Sequence, residues 1–235
     1  MQAHLIFRDL HIAAGVVALM SFWITAALRK GTALHRRTGS VYLAAMAGIV
    51  VTALPLAGVI LLRGEPIGAA FLSYLALITG TSTWLARRAI RLRGADASWF
   101  SASFRAVAVL NLGAGLAVLA LGVIVQAPLL AGLSLVGIVS GTRMLRACAK
   151  PAGKTDNWLQ RHTSAIVGSG VAVHIAFLNL GLRHLIPAAW FDQLVYVAWF
   201  GPLVAGLVAG VWLNRKFGAR KATARVHAAA HGFQA

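Results

Sequence analysis

The chain has 235 residues, of which 59% are hydrophobic and only 11% charged, whereas a soluble domain carries about a quarter charged residues; an ordinary soluble fold is excluded. The net charge of +17 would suggest nucleic acid in a soluble protein. Here the basic residues flank long apolar runs and form no nucleic-acid reader motif, so they set orientation in a membrane instead and sit against anionic lipid headgroups.

A hydrocarbon core about 30 Å thick is crossed by about 20 apolar residues in a helix. Such runs fall at 9–28, 40–62, 67–86, 104–125, 128–145, 161–185 and 193–213. They predict an all-α, polytopic membrane protein of seven transmembrane helices, with a membrane domain over 1–214 and a basic cytoplasmic tail over 215–235. The first run is followed, not preceded, by Arg29 and Lys30, which predicts an uncleaved first span and not a signal peptide. Between the fourth and fifth runs only Gln126-Ala127-Pro128 intervenes, which predicts a tight hairpin. The tail after Arg215 is rich in Ala, His and basic residues and is expected to form a short surface helix or no fixed structure.

Charge decides the count and the orientation. Of 22 Lys and Arg residues, all but Arg8, Arg63 and Arg183 fall in every second gap between runs. The period-two alternation requires seven spans, with the N-terminus outside and the C-terminus cytoplasmic. Merging the fourth and fifth runs would put later basic gaps on the wrong face. The five carboxylates, Asp9, Glu65, Asp96, Asp156 and Asp192, all lie outside the span centres. A single cysteine, Cys148, gives neither a disulfide framework nor a CxxC pair. Gly137–Gly141 and Gly206–Gly210 are GxxxG spacings that suit close helix contact.

With no carboxylate or lysine inside a span, chemistry falls to histidine. His4, His227 and His231 belong to the termini, and His184 stands beside Arg183 at a wet span end. The cofactor-binding candidates are therefore His35, His162, His11 and His174. In the predicted topology His35 and His162 share the inner face. His11 lies near the outer end of the first span, and His174 lies about 18 Å along the sixth from His162 at 1.5 Å per residue. An ionisable residue at that depth is a functional candidate by default. Paired imidazoles on facing helices can ligate a haem b, and Gly15, Gly39 and Gly170, each four residues from a histidine, could make room for a porphyrin. The alternative is that each histidine hydrogen-bonds a neighbouring helix or a headgroup. A retinal protein is excluded because Lys216 lies beyond the last span, and a zinc-dependent intramembrane hydrolase because no span holds an aspartate.

Two segments carry a resemblance. Gly31 to Tyr42, with His35-Arg36, Gly39 and Tyr42, resembles the G-x-x-x-H-R-x-x-G-x-x-Y element of a bacterial multi-pass membrane protein family known as a domain of unknown function. Trp158 to His162 followed by Ser169 to Ala172 and Ala176 to Asn179 resembles the same family's W-x-x-x-H span, and His11 fits its first span. The resemblance implies a bacterial inner-membrane protein and singles out His11, His35, Gly39, Tyr42 and His162, not His174. Histidine placement alone is similar to that of cytochrome b helical bundles. Three functions follow as expectations: haem- or quinone-linked electron transfer through His35 and His162, a small-solute or lipid permease using His174, Asn179 and Asn111, or a structural subunit that docks a membrane partner or a second copy.

Overall fold

The computed structural model describes residues 2–93, 99–149, 158–181 and 187–231. All regular structure among them is helical. Seven helices follow in order: α1 (Gln2–Ala27), α2 (Ala33–Leu62), α3 (Pro66–Arg91), α4 (Ala102–Ile124), α5 (Pro128–Cys148), α6 (Trp158–Ala176) and α7 (Ala188–His231). A π-helical turn, Phe177–Gly181, continues α6. Six of the seven are long and apolar enough to cross a membrane; α6 is not among them, since Gln160, Arg161 and His162 fill its first turn and a half. Arg183, His184, Asp96, Asp156 and Asn157 lie outside the described residues.

Local chemistry sets the helix ends. Thr32 caps α2 by accepting the His35 N–H at 3.2 Å, so α2 starts seven residues before its apolar run, at Ala33. Ser101 caps α4 through the Phe104 N–H. Pro66 and Pro128 open α3 and α5, where a missing N–H costs nothing. The turns need left-handed backbone at Gly31, Gly64 and Gln126, with φ of 86°, 81° and 51°. At its far end α7 continues as backbone helix through the basic tail to His231.

Consecutive helices pack as antiparallel neighbours from α1 through α5, and again from α6 to α7, whereas α5 and α6 are not packed on one another. α3 is central, against α2, α4 and α6, and α6 also packs on α1 and α7. One core cluster joins Ala18, Tyr42, Met46, Ala86, Ala165 and Val173 from α1, α2, α3 and α6. Without water, each buried polar group needs a partner inside the protein. Tyr42 donates to Ser169 Oγ at 2.7 Å, both side chains fully buried, and so ties α2 to α6. Asn111 donates to Thr81 at 2.8 Å between α4 and α3.

α4 and α5 form the closest pair, through glycines. A Cβ on Gly115, Gly122 or Gly141 would stand 2.8, 2.7 or 2.6 Å from a backbone nitrogen of the partner helix. The Gly137–Gly141 spacing is thus a contact face, with Gly137 against Tyr74 Oη and Asn111 O. Of the second spacing, Gly206 meets Val171 of α6, whereas Gly210 faces open space.

Candidate functional site

A large cavity of about 2160 Å³, partly open to the outside of the bundle where exposed side chains such as Met20 and Leu207 line it, runs between α5 and the remaining helices; all seven helices contribute, α4 through Phe104. It exists because α5 is committed to α4 by glycine contacts and reaches α3 chiefly through Tyr74. The Tyr74 hydroxyl donates to the Leu133 and Ser134 carbonyls at 3.0 Å and accepts the Gly137 N–H at 2.9 Å. Across the gap, α5 touches α7 where Phe200 packs over Gly132. The walls between are aliphatic and aromatic: Met46, Phe71, Leu75, Val139, Val171 and Leu207 are examples. No described lining residue carries a carboxylate or a thiol.

Both ends of the cavity are cationic. His4, Arg8 and Arg63 line it where α1 and α3 begin and α2 ends, and Arg143 and Arg161 line it at the opposite end. At this second end the guanidiniums rest on aromatic faces. Arg161 lies 4.5 Å from the Trp99 ring centroid, Arg88 lies 5.6 Å from it and 5.0 Å from that of Trp84, and Arg93 lies 4.1 Å from that of Trp158. Arg88 is also tied to the segment that leads into α4. Its hydrogen bonds to Trp99 O and Ser101 Oγ, both 2.9 Å, favour the charged form.

The four candidate histidines share one protonation pattern, assigned from their partners. His35 donates from Nδ1 to Thr25 O at 3.2 Å, His162 to Ala86 O at 3.1 Å and His174 to Gly170 O at 2.7 Å. His11 Nδ1 lies 2.9 Å from Thr52 Oγ1, whose own proton goes to Gly48 O at 2.7 Å, so the imidazole is again the donor. The Nε2 lone pairs are thereby left for other partners. That of His174 is taken by the Trp23 indole N–H at 3.0 Å, and the Phe22 and Trp23 rings pack edge-on against it.

His35 and Arg93 lie within electrostatic range of the His162 ring, and no hydrogen bond joins the two imidazoles among the described residues. His11 and His174 do not bond one another, since the first bonds α2 and the second bonds α1. His11 alone of the four lines the cavity. The three glycine notches differ as well. Phe22 ring atoms fill the space beside Gly170 at 2.5 and 2.8 Å, a Thr25 methyl stands 3.6 Å from the Gly39 position, and Gly15 opens onto the cavity with nothing within 4 Å. Among the described residues no three His, Cys, Asp or Glu side chains form a metal-binding group.

The residues that sequence reasoning passed over are the partners: Trp23 and Phe22 around His174, Thr52 beneath His11, and Tyr74 wedged into α5. Comparisons with protein-family models, with curated proteins and with solved structures find no match.

Proposed function

We propose that this chain is a seven-span bacterial inner-membrane protein, N-terminus outside and tail in the cytoplasm, that takes an amphiphilic, lipid-class molecule into its interior. The observation that carries the reading is the cavity. At about 2160 Å³ it exceeds the roughly 300–1,000 Å³ of a site for a drug-sized ligand, and its length matches that of the helices that line it. Apolar walls suit hydrocarbon chains and cationic ends suit a headgroup. Among the described lining residues the titratable groups besides arginine are the imidazoles of His4 and His11, both at one end, so the long apolar middle of the cavity is suited to binding or passage. The orientation rests on the basic gaps, which place the Arg143 and Arg161 end of the cavity in the cytoplasm.

The test is chemical. The protein purified in mild detergent and extracted with organic solvent should release a lipid-class molecule in near-stoichiometric amount, identified by mass spectrometry. Protein that emerges free of such a molecule while still folded would contradict the reading.

A second reading has one observation in its favour. His35 and His162 lie within electrostatic range of one another, each has Nδ1–H committed to a backbone carbonyl, and no described residue bonds either Nε2. A histidine held that way is oriented as a haem or metal ligand. An absorption spectrum decides it: a b-type band lost in both His35→Ala and His162→Ala would establish the pair as ligands. Protein without a band or bound metal would remove the reading.

A further inference from the structure

Arginine on the translocated side of a membrane protein works against the charge bias that orients it. Only Arg8, Arg63 and Arg183 break the alternation of basic gaps, and Arg183 lies outside the described residues. The other two come from different helices, yet both line the same end of the cavity, together with His4 and His11. Helix-dipole stabilisation could account for Arg63, at the C-terminal cap of α2, but not for Arg8, in the N-terminal part of α1.

Two carboxylates stand near these arginines. Asp9 pairs with Arg8 at 2.9 Å, with side chains 64% and 55% exposed, and such a pair constrains Arg8 little. Glu65 belongs to the α2–α3 turn. Neither carboxylate is among the described lining residues, whose charged groups at this end are Arg8 and Arg63, although Glu65 Oε2 stands 3.9 Å from the Cβ position of the lining residue Gly68.

An independent feature marks the same end. Asn179 lies in the π-helical turn Phe177–Gly181, lines the cavity and is 6% exposed. Its Nδ2 donates to Ile175 O at 2.9 Å, but its Oδ1 is buried with no hydrogen-bond partner among the described residues. A buried amide oxygen left that way bears the full desolvation penalty of its group, and π-turns concentrate at functional positions. A hydrogen-bond donor arriving with a ligand would satisfy it.

We infer that this outer end of the cavity seats the headgroup of an anionic phospholipid that carries free hydroxyls, its phosphate toward Arg63 and Arg8 and a hydroxyl donating to Asn179 Oδ1. The acyl chains then run inward between α3, α5 and α7. The inference rests on the lipid-class reading of the cavity and adds the charge, the hydrogen-bonding capacity and the direction of the occupant.

The test uses full-length protein reconstituted in vesicles of equal parts phosphatidylglycerol and phosphatidylcholine, re-extracted in mild detergent and analysed for retained lipid. Wild type should retain phosphatidylglycerol over phosphatidylcholine by about tenfold, the worth of one charge-assisted hydrogen bond. Arg63→Gln and Asn179→Leu should each lose most of that preference, Arg63→Lys should keep part of it, and Arg143→Gln at the opposite end should keep it all. Retained lipid in the supplied ratio overturns the inference and leaves the cavity reading standing, as does loss of preference in Arg143→Gln but not in Arg63→Gln. Folded wild type that retains neither lipid overturns the cavity reading itself. Elution of each variant as a single species on gel filtration separates these outcomes from misfolding.

Discussion

Trp23 of α1 donates its indole N–H to Nε2 of His174 of α6 over 3.0 Å, while Nδ1 of the same imidazole donates to Gly170 O at 2.7 Å. Both ring nitrogens are thus engaged, and the imidazole is held neutral as a link between two helices. Trp23→Phe should lower stability by about 0.6–1.7 kcal/mol, the worth of an interhelical hydrogen bond in a membrane protein. His174→Leu should do about the same. Thermal melting in detergent measures both, and neither change should alter a visible absorption band or the lipid retained. Loss of bound lipid in folded His174→Leu would give this residue a role in the site that its bonding does not suggest.

Tyr74 makes the one polar wedge between α3 and α5, bonding Leu133 O, Ser134 O and the Gly137 N–H. Tyr74→Phe leaves buried backbone groups without their partner and should cost about 1–3 kcal/mol. A melting temperature unchanged from wild type would show that α5 closes its own ladder when the hydroxyl is gone.

Gly141 and Gly210, the second glycines of the two GxxxG spacings, should respond oppositely to alanine. At Gly141 a Cβ would meet Leu112 N at 2.6 Å and Ala108 O at 2.7 Å, both backbone atoms, and Gly141→Ala should destabilise by about 1–3 kcal/mol. At Gly210 a Cβ meets nothing within 4 Å. Gly210→Ala should be neutral or stabilise by up to about 1 kcal/mol, from better helix propensity. Melting curves of the two variants side by side test the contrast.

Hairpin symmetry explains why part of this was legible in the sequence. Antiparallel helices rise equally from their turn, so residues equidistant from it share a depth. About the Gly31–Thr32 turn this pairs Thr25 with Thr38 and His11 with Thr52, and both pairs are hydrogen-bonded. About the Gln126–Ala127 turn it pairs Gly115 with Ile138, Gly122 with Ala131 and Gly141 with Leu112, all close contacts. The apolar runs and the glycines at 137 and 141 were readable because they are periodic along one chain. Contacts between distant helices were not: nothing in the local pattern says that Phe22 fills the notch at Gly170 or that Trp23 finds His174. The cavity was hidden for the same reason, being a space left by how α5 packs and not a motif. Thr32 moved the start of α2 to Ala33 because a capping hydroxyl, and not hydrophobicity, decides where a helix begins.

The central claim is that the cavity holds a lipid-class molecule, and filling the cavity tests it most directly. Gly15 and Gly210 both line it, on α1 and α7, and a Cβ at either position meets no atom within 4 Å. A side chain at either site begins in open space on the cavity wall, so phenylalanine there takes up cavity volume, and replacing a helical glycine does not weaken the helix. The measurement is the mole ratio of lipid-class molecule retained per protein after purification of wild type, Gly15→Phe and Gly210→Phe, each shown to be folded by its melting transition. The account predicts near-stoichiometric retention in wild type and severalfold less in both variants at unchanged stability. Equal retention in all three folded proteins would contradict it.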